Sequence, residues 1–354
     1  MSGAGTRAVV VDDSAFMRIA IRQMLEADGV EVVGEGRNGD EAIALARTLK
    51  PDIMTLDIIM PGTDGITALK TVVAEGLCPV IMVSTETRDG ARATIRALDI
   101  GAVDVVAKGT DLADLDMAWI EQTLVAKVRY WARQGPAVSQ RPPAHTGATV
   151  IRGAIVPAER PDLIVVAAST GGPRALTELV TGLEEGGPAM VVAQHMPAGF
   201  TRDFANHLAT RAGRPVIEAS HGMEVAEDAV TILPGGVDSK LAREHGGRLR
   251  VVQVNGDSHP VHPWADLLFE SALACARWPV AVVLTGMGED GAAGARAFAD
   301  KGLPVLVQLP ESCVVDGMPR AAIKNGAASE VLTVASIARR LVAWTATPQR
   351  AAGA

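Results

Sequence analysis

The chain has 354 residues and a mass of 36.8 kDa, a length expected to divide into two or three domains. With 48% hydrophobic and 21% charged residues it has the balance of a folded globular protein, and no apolar run approaches the ~18 residues of a membrane span. A net charge of −8, a pI of about 5.4 and only 3% aromatic residues argue against a nucleic-acid surface, and Cys78, Cys275 and Cys313 are too scattered for a disulfide framework or a zinc site.

The N-terminal MSGAGTRAVVV has no secretory pattern, so a cytoplasmic location is expected. From there the chain alternates short apolar runs with amphipathic ones. Strands are predicted at 8–12, 31–36, 52–57, 80–85 and 103–107, with helices near 14–27, 38–49, 64–75, 88–99 and 112–133. Nearly continuous apolar strands separated by helices imply a flavodoxin-like, five-stranded parallel sheet covered on both faces. Residues 131–160 break the rhythm: they hold Pro136, Pro142, Pro143 and Pro157, carry net positive charge between two acidic flanks, and read as a linker. Beyond it, strands are predicted at 162–169, 189–195, 230–235, 248–254, 281–286 and 303–309. Helices are predicted near 173–183, 199–212, 264–277, 291–301 and 334–345. This gives a second, doubly wound and mostly parallel α/β domain. The division is therefore 1–130, a linker at 131–160, a second domain at 161–345 and a flexible tail at 346–354.

In such sheets the C-terminal strand ends line one crevice. Asp12 and Asp13 close the first strand, Asp57 the third, Ser84-Thr85 the fourth and Lys108 the fifth. Taken singly, Asp13 or Ser14 reads as a helix N-cap, Asp57 as a strand-end polar residue and Lys108 as a solvated lysine. Together, three carboxylates at one crevice call for a bridging cation, and Mg²⁺ suits them; a nearby hydroxyl and ammonium would suit a phosphoryl group on Asp57. Residues 7–129 resemble a response-regulator receiver domain through DDS (12–14), TLDIIMPGTDG (55–65), Ser84-Thr85, GAVD (101–104) and Lys108. The resemblance implies that Asp57 accepts phosphate from a histidine kinase. Asp12, Asp13 and Asp57 would hold Mg²⁺, and Thr85 and Lys108 would be the switch residues. The chain departs from the family at Gly109, usually Pro, and at Val105, often aromatic.

A second group gathers in the second domain. Ser169 ends a strand and precedes Thr170-Gly171-Gly172-Pro173, which opens a helix; His195 ends the next strand; Asp290 lies in TGMGEDG before another helix. Ser169 alone reads as a plain helix N-cap. With a base and a carboxylate at neighbouring strand ends, the three make the set that a nucleophilic serine needs. The same Gly286-Met-Gly288-Glu-Asp-Gly291 matches a dinucleotide fingerprint. That reading fails on charge, because Glu289 and Asp290 would face a pyrophosphate.

The stretches ASTGGP (168–173), QHMPAGFTRDFA (194–205), LTGMGEDGAAG (284–294) and SCVVDGMPRAAI (312–323) resemble the catalytic domain of chemotaxis protein-glutamate methylesterases. By that resemblance Ser169, His195 and Asp290 are the catalytic residues. Thr170 would help place the histidine, and the Met287 backbone N–H would serve the oxyanion. The implied activity is a phosphorylation-activated hydrolysis of glutamate methyl esters on chemoreceptors, with deamidation of receptor glutamines by the same acyl chemistry. No cofactor is expected in this domain, and a monomer that neither binds nucleic acid nor enters the membrane is expected. The segment HPVHPWAD (259–266) departs from the family's basic Arg/His-Arg-Pro-Ser run, with Trp264 where a serine is usual. That departure leaves a second reading: a response regulator acting through protein contacts, with an impaired effector domain.

Overall fold

The computed structural model describes residues 5–84, 88–108, 117–134, 149–150, 159–244, 247–254, 259 and 261–345. Thr85, Gly109, the tail from 346 and most of 131–160 lie outside them. The chain divides into two compact units, with the boundary between Pro142 and Pro143.

The first unit alternates strands and helices: β1 (Arg7–Val11), α1 (Ala15–Ala27), β2 (Glu31–Gly36), α2 (Gly39–Leu49), β3 (Ile53–Asp57), α3 (Gly65–Ala74), β4 (Val80–Ser84), α4 (Arg88–Ile100), β5 (Asp104–Ala107) and α5 (Met117–Gln134). The sheet order is β2-β1-β3-β4-β5, all parallel, as predicted. Strands β3 and β4 are buried along their whole length, which is why they read as unbroken apolar runs. Each buried Val, Leu or Ile contributes ~1.5–3 kcal/mol relative to exposure. Ser14 caps α1, accepting from Met17 N at 3.4 Å. Helix α5 ends one residue beyond the predicted 133; within it Trp131 is buried and its indole N–H donates to Asp104 Oδ2 at 3.3 Å.

The second unit holds β6 (Thr149–Val150), β7 (Leu163–Ala168), α6 (Gly172–Thr181), β8 (Ala189–Gln194), α7 (Phe200–Ala212), β9 (Val216–Glu218) and β10 (Val230–Ile232). It continues with β11 (Asp238–Arg243), β12 (Leu249–Val254), α8 (Ala265–Cys275), β13 (Pro279–Val283), α9 (Ala292–Asp300), β14 (Val305–Gln308), α10 (Gly317–Lys324), β15 (Glu330–Leu332) and α11 (Val334–Thr345). The sheet order is β6-β15-β14-β13-β7-β8-β10-β9. Seven strands are parallel, and β6, from the segment read as linker, adds antiparallel to β15 at the edge. Strands β8 and β13 flank β7, so the chain's order reverses there and opens a crevice at their C-terminal ends. The predicted strand at 248–254 forms, but it pairs antiparallel with β11 in a separate two-stranded ribbon. Only Val251 of β12 is fully shielded, too little burial for a place in the sheet interior.

Candidate active site

The first constellation assembles at the switch point between β1 and β3. Asp12, Asp57 and Lys108 are buried there, at 0, 5 and 5% exposure. Lys108 Nζ lies 2.5 Å from Asp12 Oδ2 and 2.8 Å from Asp57 Oδ2. Ile58 N donates to Asp57 Oδ1 at 2.7 Å, and Ser14 N to Asp12 Oδ1 at 3.0 Å. Asp13 is exposed, yet ligand oxygens of Asp12, Asp13 and Asp57 all lie within 4.8 Å of one another. Asp12 Oδ2 is buried without a hydrogen bond, its lysine contact being ionic. A buried carboxylate oxygen with spare acceptor capacity beside two more carboxylates fits a hard, oxygen-seeking divalent cation.

Burial pushes the Asp57 carboxyl up to about 6; Lys108 opposes the shift and Asp12 adds to it. The folded pKa thus lies above the unfolded one. The native chain binds the extra proton between about pH 4 and 6, so stability falls as pH rises through that window and the full penalty stands above it. Asp57→Asn removes the penalty. With divalent cations chelated, the variant is expected to melt above the parent at pH 7–8 by up to about 3 kcal/mol of stability, converging near pH 4. Calorimetry across pH 4–8 checks this, and a constant offset would contradict it.

The second constellation forms at the ends of β7 and β8 and in the loop after β13. Ala168 pairs with Gln194 across the parallel strands, so Ser169 and His195 emerge side by side. His195 N donates to Ala168 O at 2.9 Å, and Ser169 N to Thr285 O at 3.0 Å. His195 Nε2 meets Asp290 Oδ2 at 2.7 Å. Asp290, 6% exposed, also accepts from Ala265 N at 2.8 Å through Oδ2, and from Asp266 N at 3.0 Å and Gly291 N at 2.8 Å through Oδ1. Burial alone would raise its pKa; the bond and charge of His195 and the amide donors outweigh it and hold the carboxyl below its usual range. These donors are why GMGEDG is no dinucleotide loop: its carboxylate is already committed to the protein.

With Asp290 on Nε2, Nδ1 is the imidazole nitrogen left for another partner. The Ser169 hydroxyl makes no hydrogen bond to it among the described residues, a looseness usual before substrate draws such groups together. Met287, just past β13, has a backbone N–H that bonds no described residue. Thr170 is buried and its carbonyl accepts from Thr285 Oγ1 at 2.9 Å; among the described residues its hydroxyl makes no bond to His195. Gly286 is required by close approach: a Cβ there would lie 2.7 Å from Ser169 Cβ.

Sequence reasoning missed Gln194 and Gln308, the polar ends of two buried strands. Gln194 Nε2 donates to the carbonyls of both Ser169 and His195 at 3.0 Å, tying the two residues from beneath. Gln308 Oε1 accepts from Thr285 N at 2.8 Å, and Thr285 Oγ1 bridges to Val315 O at 3.0 Å, fixing the 312–316 loop beside Ser169. The available signal was a lone amide closing an otherwise apolar strand. The divergent 259–266 segment is anchored by buried Asp238, which accepts from His262 Nδ1 and Trp264 N, each at 2.8 Å. His259 stacks on Trp264 with centroids 4.9 Å apart. Trp264 occupies the N-cap of α8 without a side-chain cap, and Asp290 supplies the missing acceptor.

The two arrangements define a class: a response regulator whose effector module is a hydrolase with a serine, a histidine and a carboxylate at its strand ends. Family models agree, a response regulator receiver domain matching residues 8–119 and a CheB methylesterase matching 164–341. A protein-glutamate methylesterase/protein-glutamine glutaminase of Lawsonia intracellularis is 38% identical over 359 residues, covering 95% of this chain and 98% of the relative. A protein of the same name from Archaeoglobus fulgidus is 39% identical over 340 residues, covering 95% and 97%. The crystal structure of the Thermotoga maritima CheB methylesterase catalytic domain aligns with a TM-score of 0.50 and 34% identity, covering 52% of this chain and 98% of that one. The chain belongs to the CheB protein-glutamate methylesterase family, receiver domain included. These relatives support the enzymatic reading over the protein-contact alternative. Among the described residues no helix is long and apolar enough to cross a membrane.

Proposed function

We propose that this chain removes methyl esters from glutamate side chains of chemoreceptors, and deamidates receptor glutamines, under control of phosphorylation at Asp57 by a histidine kinase. The observation that carries the chemistry is the 2.7 Å pair of His195 and Asp290 beside Ser169 at the ends of adjacent strands. Ser169 Oγ attacks the ester carbonyl carbon. His195 Nδ1 takes the hydroxyl proton, because Nε2 is held by Asp290, and the ionised carboxylate stabilises the imidazolium. The Met287 N–H, which bonds no described residue, would donate to the developing oxyanion. Collapse of the tetrahedral adduct breaks the ester C–O bond, and His195 returns the proton to the departing methanol. Water then attacks the acyl-enzyme, with His195 again as base, and a free glutamate leaves. An amide follows the same route and releases ammonia. Thr170 helps to place the histidine.

In the receiver, Asp12, Asp13 and Asp57 would hold Mg²⁺, which neutralises charge during phosphoryl transfer. Lys108, already between Asp12 and Asp57, pairs with the phosphoryl group, and Thr85 is the switch hydroxyl. The phosphoryl group adds roughly −1.5 to −2 charge at Asp57. A coupling of the usual 1–3 kcal/mol gives roughly 5–150-fold activation. A small-molecule phosphodonor with Mg²⁺ is expected to raise methanol release from receptor-bearing membranes by that factor in the parent and not in Asp57→Ala. An unchanged parental rate, with Asp57 shown to be phosphorylated, would overturn the regulatory half of the proposal.

A further inference from the structure

Neither α8 nor α9 caps its own N-terminus: Trp264 and Gly291 stand at the N-cap positions, and neither side chain accepts a bond. Each helix is capped by a carboxylate from the other's start. Asp290, one residue before the α9 cap, takes the first two N–H groups of α8, from Ala265 and Asp266. Asp266, the second residue of α8, takes the third N–H of α9, from Gly294, at 2.6 Å. The exchange joins two helix N-termini, where negative charge is favoured, through the carboxylate that meets His195.

We propose that Asp266 is a positioning residue: by tying the first turn of α8 to that of α9, it holds the Asp290 carboxylate at its distance from His195. This rests on the reading of Ser169, His195 and Asp290 as catalytic. Asp290 cannot move toward or away from the imidazole without carrying the Ala265 and Asp266 amides, and those are pinned to α9 by the bond from Gly294. Without that bond, α8 and the Asp290 carboxylate can shift together. Burial pushes the Asp266 carboxyl up to about 6, with Asp290 and Glu270 raising it and the Gly294 N–H and His259 opposing. At neutral pH it is ionised, so the bond to Gly294 is charge-assisted and short.

The test uses the full chain with Asp266→Ala and Asp266→Asn, reading kcat and KM for methanol release from methylated-receptor membranes and the chemical shift of the His195 Nε2 proton by NMR. Asp266→Ala is expected to lower kcat roughly 10–100-fold with KM within about twofold, because misplacement of a catalytic group costs that much. The Nε2 proton should move upfield, as its short bond to Asp290 lengthens. Asp266→Asn keeps an oxygen for the Gly294 N–H and should restore most of kcat. A folded Asp266→Ala protein with the parent's kcat and Nε2 proton shift overturns the proposal. If Asp266→Ala does not fold, an Asp266→Asn protein whose kcat still falls roughly 10-fold or more overturns it, because the retained acceptor should preserve the tie to Gly294. A parent that releases no methanol, with the Nε2 proton still moved in Asp266→Ala, sinks the ester-hydrolysis reading and leaves the coupling of Asp266 to His195 standing.

Discussion

Ser169→Ala is expected to lower phosphodonor-stimulated methanol release by roughly 10⁴–10⁶-fold, the loss found when the nucleophile of such a set is removed. The half-buried serine hydroxyl caps nothing: α6 starts from Gly171 without a side-chain acceptor. The deletion should therefore leave thermal stability within about 0.5 kcal/mol of the parent. Activity and folding separate cleanly in this variant. A rate within tenfold of the parent would mean that water, not Ser169, attacks the ester.

Asp290→Asn carries the second large effect, and here activity and stability fall together. The rate should drop roughly 10³–10⁴-fold, because an amide cannot stabilise the imidazolium and can hold the wrong tautomer. The carboxylate also accepts from three backbone N–H groups through both oxygens. An asparagine offers one oxygen and turns an NH₂ toward donors it cannot satisfy. The unmet pairing should cost about 1–3 kcal/mol. Kinetics and thermal unfolding on one preparation check both effects. A variant as stable as the parent would contradict the capping role, and one as active would contradict the catalytic role.

The parallel strands were legible because burial on both faces leaves unbroken apolar runs such as LIVVAA and AMVVAQ. Their polar endings marked the crevice, so the strand-end positions of Ser169, His195, Asp57 and Lys108 could be read directly. Strand β11, DSKLAR, was not legible: its polar residues are held by the ribbon and by α8, with Leu241 N bonded to Ser271 Oγ at 3.0 Å. The short β9 and β15 carry too few residues for a period, and β6 lies in a segment whose prolines spell linker. Within the site, the roles of Gln194, Thr285 and Asp266 were hidden because each acts on backbone groups brought together only by the fold. Trp264 illustrates the same limit. As sequence it departs from the serine usual in the family; in the structure it stands at the N-cap of α8 without a side-chain bond, and Asp290 accepts from the Ala265 N–H.

Incubating the full chain, Mg²⁺ and a phosphodonor with membranes whose receptors carry labelled methyl groups, and measuring volatile methanol against free glutamate at the receptor sites, tests ester hydrolysis and its control together. Methanol and glutamate are expected in equal amounts, at a rate that the donor raises and that Ser169→Ala eliminates. A folded, phosphorylated protein that releases no more methanol than Ser169→Ala would contradict this expectation.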